Sequence, residues 1–170
     1  MRKILLSEKV IQERIQHLAS EINEHLVSKK IKNLTLIWIA DGAAFFAEDL
    51  AKYLNINLEV FSIKISSYGN EKKSYREPLL IGSLPDVKGK DLLLLDDILD
   101  TGNTLFFAKN LLKENKAKEI FTCVLLDKKI KNEKKMNSDF VGFEIENVFV
   151  YGYGLDLEDK LRELRDVYFE

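Results

Sequence analysis

The chain has 170 residues, 46% of them hydrophobic, with 26 basic and 28 acidic side chains and a formal charge of −2. Residues 1–170 read as one domain, and a domain of that length buries about 70% of the surface its unfolded chain exposes. The balanced charge excludes a chain-wide basic surface for nucleic acid, so any site for a polyanion must be local.

Residues 1–6 meet Ser7, Glu8 and Lys9 too soon for a signal peptide or a membrane span, which predicts a cytoplasmic protein. Ser7 is placed to cap a helix in which Ile11, Ile15, Leu18, Ile22 and Leu26 recur at helical spacing. His17 and His25 fall in the polar part of this pattern and read as solvated, leaving no histidine triad or histidine metal cluster. The run 34–40 suits a strand covered on both faces. Asp41-Gly42 breaks it, and 43–54 carries Phe46, Leu50 and Leu54 as a helix would. Strand character returns over 58–65. Residues 66–82 place Tyr68, Gly69, Tyr75 and Pro78 among many charges, and an unpatterned stretch of this length is either a functional lid or disordered.

Four leucines at 92–95 form another buried strand, followed by a turn and a helix with Leu105, Ala108, Leu111 and Leu112. The next strand, 119–126, holds the single cysteine, Cys123, as a buried hydrophobe; one cysteine excludes an internal disulfide and a thiolate zinc centre. A basic loop at 128–135, short strands at 140–143 and 148–151, and a charged helix from Leu157 complete the chain. Strands alternating with helices predict an α/β fold whose mostly parallel central sheet is flanked by helices.

The chemistry concentrates in one run, four leucines followed by Asp96-Asp97-Ile98-Leu99-Asp100-Thr101-Gly102-Asn103-Thr104-Leu105. Open α/β sheets bind ligands at the carboxyl ends of their strands. Two adjacent carboxylates there are poor core residues but good acceptors for the vicinal hydroxyls of a ribose. The turn that follows opens directly into a helix, where backbone N–H groups with Thr101 and Thr104 make a phosphate cradle. Two acids alone would fit a solvated strand end better. The whole strand–turn–helix run points to a ligand.

This run resembles the phosphoribosyl-pyrophosphate signature of type I phosphoribosyltransferases. Three further segments narrow the resemblance to the hypoxanthine-guanine phosphoribosyltransferases: Ser66-Ser67-Tyr68-Gly69, similar to the start of that family's mobile catalytic loop; Leu125-Leu126-Asp127-Lys128, similar to its purine-contacting strand end; and 141–145 with 149–156, similar to its purine hood. The resemblance implies a type I phosphoribosyltransferase fold, with a small purine-binding hood formed by the N-terminal and C-terminal segments and a mobile loop at about 66–82. It implies that Asp96 and Asp97 hold the ribose hydroxyls and, with Asp156, Mg2+. Residues Asp100, Thr101, Gly102, Asn103 and Thr104 would hold the 5′-phosphate, with Asp100 also the base for the purine N7 proton. Asp41, Gly42 and Arg162 would meet pyrophosphate. Lys128, Phe149, Val150 and Asp156 would meet the purine, and Ser67 and Tyr68 would close over the reacting centre. The expected partners are small molecules, a 6-oxopurine and phosphoribosyl pyrophosphate, with neither nucleic acid nor membrane, in a homodimer or homotetramer.

Taken singly, Lys128 reads as a solvated lysine, Phe149 as core, Asp100 as a helix N-cap and Arg162 as a chance member of a charged helix. The chain also departs from the family pattern. Asp41-Gly42 stands where Lys-Gly is usual, reversing the charge beside an anionic ligand; Tyr75-Arg76-Glu77-Pro78 occupies a stretch of the loop where small residues are common; and Asp96 replaces a frequent glutamate. These departures keep two alternatives in view, a regulator that binds nucleotide or phosphoribosyl pyrophosphate without turnover and a xanthine-preferring enzyme.

Overall fold

A computed structural model describes residues 2–68, 77–157 and 160–170. A six-stranded sheet runs in the order β4-β3-β2-β5-β6-β7, comprising β2 (Asn33–Ala40), β3 (Asn57–Tyr68), β4 (Glu77–Ile81), β5 (Asp91–Leu99), β6 (Glu119–Lys129) and β7 (Phe140–Glu146). All its neighbours are parallel except β4, which runs antiparallel to β3. Helix α1 (Glu8–Ser28) and α2 (Ala44–Ala51) cover one face, and α3 (Asn103–Glu114) covers the other.

The four-leucine run explains itself in this frame. Alternate side chains of a strand point to opposite faces, so Leu93 and Leu95 join the core under α1 and α2 while Leu92 and Leu94 join the core under α3. A central parallel strand buried on both sides needs an unbroken apolar run. The first helix also begins as expected: Ser7 is its N-cap and accepts a hydrogen bond from the Val10 N–H at 3.4 Å.

A second, three-stranded antiparallel sheet, β1-β9-β8, joins the two ends of the described chain. Its strands are β1 (Lys3–Leu6), β8 (Val150–Tyr151) and β9 (Val167–Phe169), with Lys3 opposite Phe169 and Tyr151 opposite Tyr168. The charged helix expected from Leu157 does not form: the described residues from 157 onward contain a Leu157–Lys160 bridge and then β9. The Leu164 carbonyl accepts from Tyr153 N–H and the Arg162 carbonyl from Gly154 N–H, so these groups are committed to a distant turn instead of a helical ladder. Leu161, at φ 65°, also breaks helical geometry.

The unpatterned stretch expected over 66–82 is ordered at both flanks. Tyr68 ends β3 opposite Glu77, and Ser67 lies opposite Pro78 on the edge strand β4, where proline is tolerated. Residues 69–76, the rest of the expected loop, lie outside the described residues. His25 is a further correction. It is half-buried and packs edge-on against Phe121 and Phe140, at ring centroid distances of 4.8 and 5.6 Å, while His17 is exposed. Cys123 is fully buried, and burial pushes its thiol pKa up. Among the described residues, no helix is long and apolar enough to cross a membrane.

Candidate active site

The turn from β5 into α3 is the centre of the site. Gly102, at φ 81°, is the N-cap of α3 and brings no capping side chain; the Thr101 hydroxyl accepts from the Asn103 N–H at 3.4 Å. Asp100 is therefore not the cap. The first N–H groups of a helix lack internal partners, and here they face a hollow of about 70 Å³ lined by Asp96, Asp100, Thr101, Asn103 and Thr104. The turn is braced from behind: the Lys135 N–H donates to the Thr101 carbonyl at 2.8 Å, and a Cβ on Gly102 would stand 3.0 Å from the Met136 carbonyl oxygen. Glycine meets both demands, a left-handed backbone and a close neighbour.

Asp96 is 7% exposed and Asp97 half-buried at the end of β5. The Asp96 carboxylate accepts from the Asp97 N–H at 3.0 Å, and the Asp97 carboxylate from the Ile98 N–H at 2.6 Å. Burial, and then the neighbouring Asp97 charge, hold the Asp96 carboxyl well above the usual carboxylate range. Burial raises Asp97 as well; its hydrogen bonds and the positive field of Arg162 oppose that rise without cancelling it.

The loop after β2 closes on these acids. A Cβ on Gly42 would overlap Asp97 Oδ2, and one on Gly154 would overlap the Gly42 carbonyl oxygen, so two glycines allow three chain segments to meet at Asp97. Asp41 points elsewhere: its Oδ2 lies 3.4 Å from the Lys64 Nζ, both groups being more than half exposed. Arg162 lies outside any helix, and its charge reaches Asp97. It donates to the Gly154 carbonyl at 2.9 Å and pairs with Asp156 at 3.0 Å.

On the other side of the turn, the Lys128 Nζ lies 3.8 Å from Asp100 Oδ2, and the Lys128 side chain is 11% exposed. The solvated-lysine reading is overturned. The adjoining Asp127 is ion-paired with Lys134, which anchors the basic loop against the end of β6. Phe149 is 49% exposed, so it is not core, whereas Val150 is buried and leaves only backbone to offer. Ser67 and Tyr68 lie in β3 by their backbones; their side chains lie outside the described residues.

Sequence reasoning missed Tyr153, whose hydroxyl donates to Asp49 Oδ2 at 2.5 Å and ties the 152–154 corner to α2. Its one local signal was the Gly-Tyr-Gly spacing. Among the described residues, no three His, Cys, Asp or Glu side chains form a ready metal cluster. The donor set at the end of β5 is two adjacent carboxylates, Asp96 and Asp97, of the kind that Mg2+ takes one or two of while drawing its other oxygens from substrate and water. A larger hollow, of about 520 Å³, sits at the starts of β2, β3 and β5 among Lys30, Lys32, Lys90 and Lys118. It is at the wrong end of a parallel sheet for a ligand carried by the β5 motif.

The Phosphoribosyl transferase domain family matches residues 2–158, a span that includes the β5–α3 turn. The hypoxanthine-guanine phosphoribosyltransferase of Bacillus subtilis is 38% identical over 166 residues, covering 96% of this chain and 90% of that protein. A crystal structure of the Bacillus anthracis hypoxanthine-guanine phosphoribosyltransferase, with a HEPES molecule in its active site, superposes with a TM-score of 0.91 at 29% identity, covering 100% of this chain and 99% of that one. The bifunctional TilS/HprT protein of Listeria monocytogenes is 36% identical over 165 residues; the chain spans 96% of itself in that match and only 25% of the Listeria protein. The chain belongs to the hypoxanthine-guanine phosphoribosyltransferase family.

Proposed function

We propose that the protein is a purine-salvage enzyme that transfers the phosphoribosyl group of phosphoribosyl pyrophosphate to N9 of hypoxanthine or guanine, giving IMP or GMP and pyrophosphate. The carrying observation is the start of α3 at the Gly102 turn, beside the buried Asp96 and half-buried Asp97, with Lys128 beside Asp100. In this reading the helix N–H groups and the side chains of Thr101, Asn103 and Thr104 take the 5′-phosphate. Asp96 and Asp97 accept from the ribose hydroxyls. Lys128 donates to the purine 6-oxo group, Phe149 stacks on the ring and the Val150 backbone reads its edge. Gly42 and Arg162 face the pyrophosphate, beside Asp41.

The C1–O bond to pyrophosphate breaks as the N9–C1 bond forms, and the N7 proton passes to Asp100. Asp96, Asp97 and Asp156 would hold Mg2+, which supplies neutralisation of pyrophosphate charge. Ser67 and Tyr68 would screen the oxocarbenium-like centre from water. No activated serine, cysteine or histidine is required; positioning and charge carry the rate. We place the reaction in the cytoplasm, in a homodimer or homotetramer.

The test is turnover with Mg2+, phosphoribosyl pyrophosphate and, separately, hypoxanthine, guanine, xanthine and adenine. Nucleotide and pyrophosphate are expected from the first two. Ligand binding without product in every case would make the protein a regulator, and product from xanthine above the others would shift the substrate.

A further inference from the structure

The family pattern puts a lysine beside the pyrophosphate, and this chain has Asp41 there. β2 and β3 pair in parallel with Ala40 opposite Lys64, which brings the Lys64 side chain alongside the loop that follows Ala40. Lys64 Nζ reaches Asp41 Oδ2 at 3.4 Å. The next residue, Gly42, touches the Asp97 carboxylate, so the pair stands at the rim of the acid-lined centre. The cation on the opposite rim, Arg162, is held by both the Gly154 carbonyl and Asp156. Lys64 has a more than half exposed side chain on a flexible stem, and its ion-pair partner is an equally exposed carboxylate.

We propose that Lys64 is the cation that meets the pyrophosphate end of the sugar substrate in this protein, and that Asp41 is its resting partner, from which it turns when the ligand arrives. The pyrophosphate carries more negative charge than one carboxylate, so the exchange runs toward the ligand. Asp41 then opposes binding twice, by holding Lys64 and by repelling the anion. The proposal rests on the phosphoribosyltransferase reading, and its test separates the two.

Kinetics with phosphoribosyl pyrophosphate and calorimetry with IMP are run on the wild type and on K64M, K64R and D41N. IMP carries no pyrophosphate, so it reports the rest of the site. K64M should raise the KM for phosphoribosyl pyrophosphate about tenfold, K64R should restore most of that loss, and D41N should lower the KM several-fold. The Kd for IMP should stay within about twofold in all three, as expected for residues that meet only the pyrophosphate. An unchanged KM in K64M, an equal loss for IMP, or a D41N variant that weakens the sugar pyrophosphate as K64M does would overturn the role of Lys64. A wild type that neither turns over nor binds IMP would instead overturn the enzyme reading beneath it.

Discussion

The turn from β5 into α3 and the corner at residues 152–154 flank one cleft and are built by opposite means. The turn is local: a strand, two acids and a glycine at φ 81°, all within about ten consecutive residues. The corner sets three successive residues at positive φ, Gly152 at 91°, Tyr153 at 51° and Gly154 at 92°. A non-glycine residue there costs about 1–2 kcal/mol. Distant partners offset that cost: the Tyr153 N–H donates to the Leu164 carbonyl at 2.6 Å and its hydroxyl to Asp49 at 2.5 Å. The Gly102 turn is thus specified by adjacent sequence, while the 152–154 corner depends on distant segments having folded.

That contrast can be broken at three strengths. The largest effect is expected from Asp100→Ala. Asp100 is exposed and does not cap α3, so the turn should survive its loss. Removing a general base costs 10²–10⁴-fold, so kcat should fall about a thousandfold. The KM for phosphoribosyl pyrophosphate should stay within a few-fold, and matching losses in both would deny Asp100 the proton-accepting role.

Next comes Tyr153→Phe, expected to lower stability by about 2 kcal/mol in urea unfolding, the usual range for a hydrogen bond to a charged partner. Its pH dependence has a definite sign. Burial raises the Asp49 carboxyl, but hydrogen bonds from Tyr153, Lys52 and Gln12 outweigh it and leave the group below its ordinary range. A folded-state pKa below the unfolded one adds stability above about pH 4 and loses it as pH falls through the folded value. The gap between wild type and variant should therefore narrow from pH 7 to pH 3. A constant gap would mean that the hydroxyl acts through packing alone.

The smallest effect, and the opposite sign, belongs to Asp96→Asn. The Asp96 carboxyl is raised, so its stability contribution is complete below about pH 4 and declines as pH rises through the folded value. Asn removes the decline. The variant should gain about 1 kcal/mol over wild type near pH 7 and nothing near pH 4, even as it loses ribose binding. A Tm advantage that does not grow with pH would show that Asp96 is not a strained charge.

The same division governs what could be read in advance. The leucine run, the acids, the Gly102 turn and the α/β alternation were legible because each rests on local periodicity or turn chemistry. The helix expected from Leu157 failed because Arg162 and Leu164 give their carbonyls to the 153–154 corner, a contact no window of sequence contains. His25 looked solvated on its own helix and is half-buried only because Phe121 and Phe140 arrive from other strands. Arg162, the weakest assignment in sequence, was brought to Asp156 and the field of Asp97 by that same corner. Lys64 gave no sign at all, since its bearing on Asp41 comes from strand register.

In the small sheet, β9 lies between β1 and β8, so residues 167–169 are the middle of a structure whose first strand is residues 3–6. On a ribosome, β1 has no sheet neighbour until residues 167–169 have been made. A polypeptide ending before residue 167 would carry the Gly102 turn in its sequence but leave β1 and β8 without the strand that joins them. The small sheet is thereby the last part of residues 1–170 that can assemble.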